Sequence, residues 1–192
     1  MLIIDHSEDC DVSSAWAYFF TKIDSGNWSL SFKGKAYIGK NGLGKTREGD
    51  NKTPTGFFNI NGAFGISKDP GTKLSYIKMD DTTYACDDLD SENYNKIIDV
   101  KETKHNCNGE KMLDYFPAYN YGLVIDYNRE CLPSLGSNIF IHCFGKHKYT
   151  GGCIALSEKS VRDILKVVIP GKSKLVVMDS SIKVLCTDNN NE

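Results

Sequence analysis

Two short stretches hold the residues whose types and spacing can do chemistry. In "YTGGCIAL", residues 149–156, Cys153 follows two glycines and precedes an apolar run; in "NIFIHCFG", His142 sits inside another apolar run. A thiol and an imidazole work as nucleophile and base when they meet within about 3 Å. Ten residues, "CFGKHKYTGG", separate them and are dense in turn formers, so the connection is able to fold back and bring the two side chains face to face. Gly151 and Gly152 let the backbone approach a substrate closely. The N–H groups of Gly152 and Cys153 are the candidate donors to a developing oxyanion. The next helix starts four residues after Cys153, too far for its dipole to be the main activator. His142 and local hydrogen bonds are therefore expected to depress the thiol pKa.

Two blander readings fit the same residues. Cysteine is among the residue types most often buried for packing alone. His142, Cys143, His147 and Cys153 also offer four candidate zinc ligands within twelve residues. Against zinc, His142 and Cys143 are neighbours on a predicted strand and point to opposite faces. The spacing also lacks the paired CxxC or HxxxH forms of zinc sites.

The 192 residues are enough for one sizeable core, and one domain over 1–192 is expected. A formal charge of −2, with no block of like charge, provides no electrostatic footprint for nucleic acid. No segment has the roughly 18 consecutive apolar residues of a membrane helix. The N-terminal "MLIIDHSEDC" has neither a basic n-region nor a long h-region and is not expected to be a signal peptide. Seven cysteines leave at least one thiol outside any intrachain pairing. Cys86 and Cys107 flank a polar, acidic excursion over 86–113, and a bond between them would close a loop of about 20 residues, contributing roughly 3 kcal/mol.

The elements that must position Cys153 and His142 read as follows. "SSAWAYFFTKIDSGNWSL" predicts a short helix and then a strand. "FKGKAYIGKNGLGKTREGDNKTPTGFFNI" predicts strand, glycine-rich loop, strand, because its glycines and Pro54 forbid a long helix. "SYIKMDDTTYACDD" reads as strand, turn, strand, while "YNYGLVIDYN", "SNIFIHCF" and "CIAL" read as core strands. "SEKSVRDILKVV" is the best helix, capped by Ser157, with Val161, Ile164, Leu165 and Val168 on one face. "SKLVVMD" is a closing strand, and "CTDNNNE" a frayed tail. The sum is a mostly-β domain with one or two helices.

"IHCFGKHKYTGGCIAL" resembles the catalytic core of the L,D-transpeptidase, or YkuD, family, which carries a histidine and then a Ser/Thr-x-Gly-Cys element. These fall on His142, Thr150, Gly152 and Cys153. "GKTREGDNKTPTGFF" resembles the family's upstream motif, and the likeness runs from about residue 30 to about 178. The family's usual histidine two positions before the nucleophile is Gly151 here, and its frequent arginine two positions after is Ala155. The resemblance implies a β-sandwich or barrel-like fold and a cysteine that releases D-Ala from peptidoglycan tetrapeptide stems, forming 3→3 cross-links. It also implies reaction with carbapenems, action at the cell wall, and no metal or organic cofactor. Thr150, Gly151, Arg47 and Lys52 are then the substrate-binding candidates, with Lys45 beside them, and a monomer is expected. The alternatives are an L,D-carboxypeptidase that trims the stems, or a non-catalytic wall-binding module; an intact Cys153/His142 pair argues against the last.

Overall fold

The structure, a computed structural model, describes residues 1–7, 9–24, 26–103 and 107–180. Its strands are β1 Leu2–His6, β2 Ser14–Lys22, β3 Trp28–Tyr37, β4 Gly56–Gly65, β5 Tyr76–Lys78, β6 Thr83–Ala85, β7 Ile97–Asp99, β8 Glu110–Lys111, β9 Gly122–Ile125, β10 Phe140–Cys143, β11 Ile154–Leu156 and β12 Lys174–Asp179. The α-helix α1 spans Glu158–Val167, and two 3-10 turns cover Met112–Tyr115 and Ala118–Asn120. The fold is mostly β, as composition and patterning predict.

The main sheet runs β12-β1-β2-β3-β11-β10-β9-β4-β5, and β4 also pairs with β12. That second pairing closes the sheet into a barrel, with β5 added at β4. Closure removes the free edges that an open sheet would expose. Inward residues from every wall, among them Ile4, Ala17, Ala36, Ile60, Leu123, Ile141, Ile154 and Leu175, form one continuous apolar core. Helix α1 covers part of this core with Val161, Ile164 and Leu165, and the Ser157 hydroxyl caps it by accepting from the Ser160 N–H at 3.1 Å.

The helix expected within residues 13–30 is not formed. Residues Ser14–Lys22 and Trp28–Tyr37 are instead the two strands of an antiparallel hairpin. Ala15, Ala17 and Phe19 are buried, while Trp16 and Tyr18 point the other way. This is a period of two, and cross-strand packing overrides the helix preference of the alanines. The N-terminal strand β1 carried no strand prediction. It lies between β2 and β12, parallel to β12 from Leu2↔Leu175 to His6↔Asp179. The tail "CTDNNNE", with Cys186, lies outside the described residues.

The polar excursion is more ordered than its composition suggests. It contributes β7 and β8 to a small sheet of order β7-β6-β8. Cys86 and Cys107 are disulfide-bonded across a separation of 21 residues, as their flanking positions suggest. Just beyond the bond, a Cβ on Gly109 would lie 2.4 Å from the Ala85 carbonyl oxygen, so only glycine lets β8 press against β6 there. A Cys86→Ser/Cys107→Ser variant is expected to lose about 3 kcal/mol of stability through the freed loop. Urea unfolding of the two proteins checks this; equal midpoints would refute a stabilising role for the bond.

Candidate active site

Strands β10 and β11 run parallel, with Ile141 opposite Ile154, His142 opposite Ala155 and Cys143 opposite Leu156. The ten-residue connection therefore does not return as a hairpin; it crosses back over the barrel end so that β11 starts beside β10. Because successive strand residues alternate faces, Phe140 and His142 on β10 share a face with Ala155 on β11, and Cys153 lies at the entry to that strand. His142, Cys153 and Ala155 all line one cavity of about 360 Å³. Cys143 points the other way, into the barrel core. That alternation separates two of the four candidate zinc ligands.

His142 has its tautomer fixed by the fold. Its Nδ1 lies 2.8 Å from the Cys143 carbonyl oxygen. A carbonyl only accepts, so Nδ1 carries the proton and Nε2 is left as the basic nitrogen. The edge of the ring contacts Tyr119, at 5.4 Å between centroids and 70° between planes. Burial pulls the imidazole pKa down to about 4, against a smaller upward pull from the Cys143 carbonyl. The ring is therefore neutral at physiological pH.

The Cys153 thiol is held at both sides. Its S–H donates to the Asn138 carbonyl at 3.2 Å, and its sulfur accepts the Phe140 N–H at 3.3 Å. Burial pushes its pKa up to about 12, outweighing the Phe140 N–H and the Lys45 charge that favour thiolate. This reverses the depressed thiol pKa expected from the sequence. A low-dielectric wall penalises the thiolate more than the nearby donors stabilise it. The resting site thus holds a neutral thiol and a neutral imidazole that line one cavity, with no hydrogen bond between them among the described residues.

The turn before Cys153 is clasped by two threonines. The Thr150 hydroxyl donates to the Cys153 carbonyl at 2.6 Å and accepts the Gly152 N–H at 3.1 Å. Thr150 thus serves the turn itself, although it also lines the cavity. Of the two predicted oxyanion donors, the Gly152 N–H is engaged by that hydroxyl. Gly152 is in a conformation that favours glycine, with φ at 147°, and a Cβ there would lie 2.9 Å from both Ile139 Cδ1 and the Lys52 carbonyl. Gly151, in contrast, is exposed with open space around it. Thr53 is fully buried; its hydroxyl donates to the Gly152 carbonyl at 2.8 Å and accepts the Gly39 N–H at 2.8 Å.

The charged loop 39–56 braces this turn from behind. Asp50 accepts from the N–H groups of Thr46, Arg47 and Lys52 and from the Lys45 ammonium. Burial pushes its pKa up, but the donors prevail and hold it at about 2. The Lys45–Asp50 pair spans 3.0 Å with side chains only 1% and 6% exposed. Arg47 and Lys52, expected to meet substrate, are absent from the cavity lining, whereas Lys45 is part of it. Their backbone N–H groups, rather than their charges, organise the loop. Asp50 and Thr53 went unassigned in the sequence, although both lie in "GDNKTPTG". His147, in the turn-rich loop, is exposed and stacks on Tyr149 at 5.0 Å. Glu48, Asp87, Glu110 and Asn138 also line the cavity; of these only Glu48 falls in a motif, "GKTREGDNKTPTGFF", and none is singled out by the sequence.

A closed β-barrel that sets a thiol and a tautomer-fixed imidazole on one face, over a cavity, defines a class of cysteine–histidine sites. The chain belongs to the YkuD family, the L,D-transpeptidase catalytic domain, whose family model matches residues 23–178. Among solved structures, it is similar to the helical cell shape determining protein Pgp2 from Campylobacter jejuni, at 17% identity over 93% of this chain and 46% of that one, with a TM-score of 0.46. It is also similar to Bd1075 of Bdellovibrio bacteriovorus, at 12% identity over 92% of this chain and 47% of that one, with a TM-score of 0.45. The chain spans less than half the length of either. No curated protein matches it in sequence.

Proposed function

We propose that this chain is a cysteine-dependent L,D-transpeptidase acting on peptidoglycan tetrapeptide stems, as a monomeric catalytic domain outside the cytoplasmic membrane. The observation that carries the reading is that Cys153, at the entry to β11, and His142, on the parallel β10, line one cavity, with Nδ1–H bound to the Cys143 carbonyl and Nε2 free to take a proton. The pairing of β1 with β12 supports one domain, since it joins the two ends of the described chain.

In this reading the S–H leaves the Asn138 carbonyl and gives its proton to His142 Nε2 as sulfur bonds to the carbonyl carbon of the third stem residue. The oxyanion takes the Cys153 N–H, because the Gly152 N–H is held by Thr150. Collapse breaks the C–N bond, and D-Ala leaves with the proton from Nε2. The side-chain amine of a second stem then attacks the thioester and gives a proton to Nε2, which returns it to the sulfur. Water in place of the amine makes the same site an L,D-carboxypeptidase.

Incubation with purified muropeptides and mass spectrometry of the products tests this. Cross-linked dimers with free D-Ala are expected. Tripeptides alone would assign the carboxypeptidase, and unchanged muropeptides would overturn both.

A further inference from the structure

The cavity holding Cys153 has an acidic wall made of Glu48, Asp87, Glu110 and Asp114. The excursion builds most of it. Asp87 follows the disulfide-bonded Cys86, and Glu110 on β8 pairs with Ala85 on β6. Three basic residues line the same cavity but do not neutralise this wall. The Lys45 ammonium is committed to Asp50 and to the Arg47 carbonyl, and Lys146 and His147 lie exposed on the facing loop. Glu48 is committed too, accepting the hydroxyls of Tyr94 at 2.6 Å and Ser137 at 2.7 Å. Asp87 and Glu110 have no ion-pair partner among the described residues; Glu110 accepts only phenol hydrogen bonds, from Tyr119 at 3.3 Å and from Tyr115. Burial, followed by the charge of Asp87, raises the Glu110 pKa, and burial with Glu48 raises that of Asp87. An unmatched cluster of this kind gains from an incoming cation.

Asn138 supplies an independent pointer. It lines the cavity, is only 9% exposed, and neither atom of its carboxamide has a hydrogen-bond partner among the described residues. Its backbone is fixed, because its N–H donates to Asn95 Oδ1 at 2.9 Å and its carbonyl accepts the Cys153 thiol at 3.2 Å. A buried amide left unpaired costs about 1–3 kcal/mol, a penalty that an entering polar group relieves. Its oxygen suits a donor, and the neighbouring carboxylates would repel an anion.

We propose that Asn138, Asp87 and Glu110 form a subsite for the side-chain ammonium of the substrate residue whose carbonyl Cys153 attacks. The ammonium donates to Asn138 Oδ1 and lies against the two carboxylates. The inference rests on the acyl-transfer reading above and adds a selectivity to it: stems whose third residue has a free side-chain amine are preferred over stems in which that amine is blocked.

Binding to the inert Cys153→Ala protein tests this without turnover. Two synthetic tetrapeptides are compared by calorimetry, one ending in L-lysyl-D-alanine and the other identical but Nε-acetylated. The free-amine peptide is expected to bind at least ten-fold more tightly. Adding Glu110→Gln with Asp87→Asn, or Asn138→Ala, should bring that ratio towards one, in proteins whose melting temperatures show them folded. Equal affinity for the two peptides overturns the subsite, as does no binding of the free-amine peptide or a ratio that survives the double carboxylate substitution. The acyl-transfer reading fails separately: discrimination intact in the inert protein, with no D-Ala released by the wild type, would sink that reading and leave the subsite standing.

Discussion

Cys153→Ala is expected to abolish D-Ala release from tetrapeptide stems while leaving the protein folded. The substitution removes one sulfur that makes two weak hydrogen bonds, to the Asn138 carbonyl and from the Phe140 N–H. Their loss costs on the order of 1 kcal/mol. The strand register around the site rests on backbone pairing and apolar packing, which the substitution spares. No other described thiol is placed to take over the proposed chemistry. Among the described residues the remaining free cysteines are Cys10, Cys131 and Cys143; none lines the cavity, and Cys143 is buried in the core with its pKa pushed up to about 12, mainly by burial. Intact-mass spectrometry after carbapenem treatment provides a second readout, with one adduct per wild-type chain and none in the variant. Release of D-Ala by the variant at the wild-type rate would remove Cys153 from the mechanism.

His142→Ala is expected to lower the rate by on the order of 10²-fold or more, the usual loss of a general base. His147→Ala should leave it nearly unchanged, because that ring is exposed and stacked on Tyr149. The pH profile separates a general base from a mere packing residue. The proposed mechanism needs neutral His142, whose folded pKa is lowered to about 4 by burial. The acid limb of kcat/KM should therefore fall near pH 4 rather than near 6.5. With the thiol pKa at about 12, the profile should stay flat through neutrality. Stability follows the same group. Between pH 6.5 and 4 the unfolded chain binds a proton on His142 that the folded chain refuses, so stability falls as pH falls through that window. His142→Gln should flatten this part of a melting-temperature titration. A limb near 6.5, or His147→Ala being the more damaging change, would reassign the base.

The pattern that marks Cys153 and His142 as the candidate pair is legible because chemistry restricts residue types. A thiol behind Gly-Gly, with a histidine in a preceding apolar run, forms a pattern that few structural roles require. The flanking strands β9 to β12 and helix α1 were legible too, since their apolar periodicity reflects local burial. Strand β2 reads as a helix in the sequence because its alanines and aromatics fit both periods, and only pairing with β1 and β3 selects the strand. Strand β1 is short, and of its two partners β2 itself reads as a helix while β12 lies at the far end of the described chain, so no local pattern announces it.

The charges of the loop 39–56 show the same limit at the level of single side chains. Arg47 and Lys52 looked like substrate-gripping cations, yet the loop folds around Asp50 and turns their N–H groups inward. The sequence by itself determined that a β-rich scaffold is built and marked Cys153 and His142 on it as candidates. Tertiary structure alone decided the protonation of the resting pair, the tautomer of His142 and the acidic wall opposite Cys153. Those properties depend on burial and on through-space neighbours, which barrel closure and the disulfide-tied excursion bring together from distant parts of the chain.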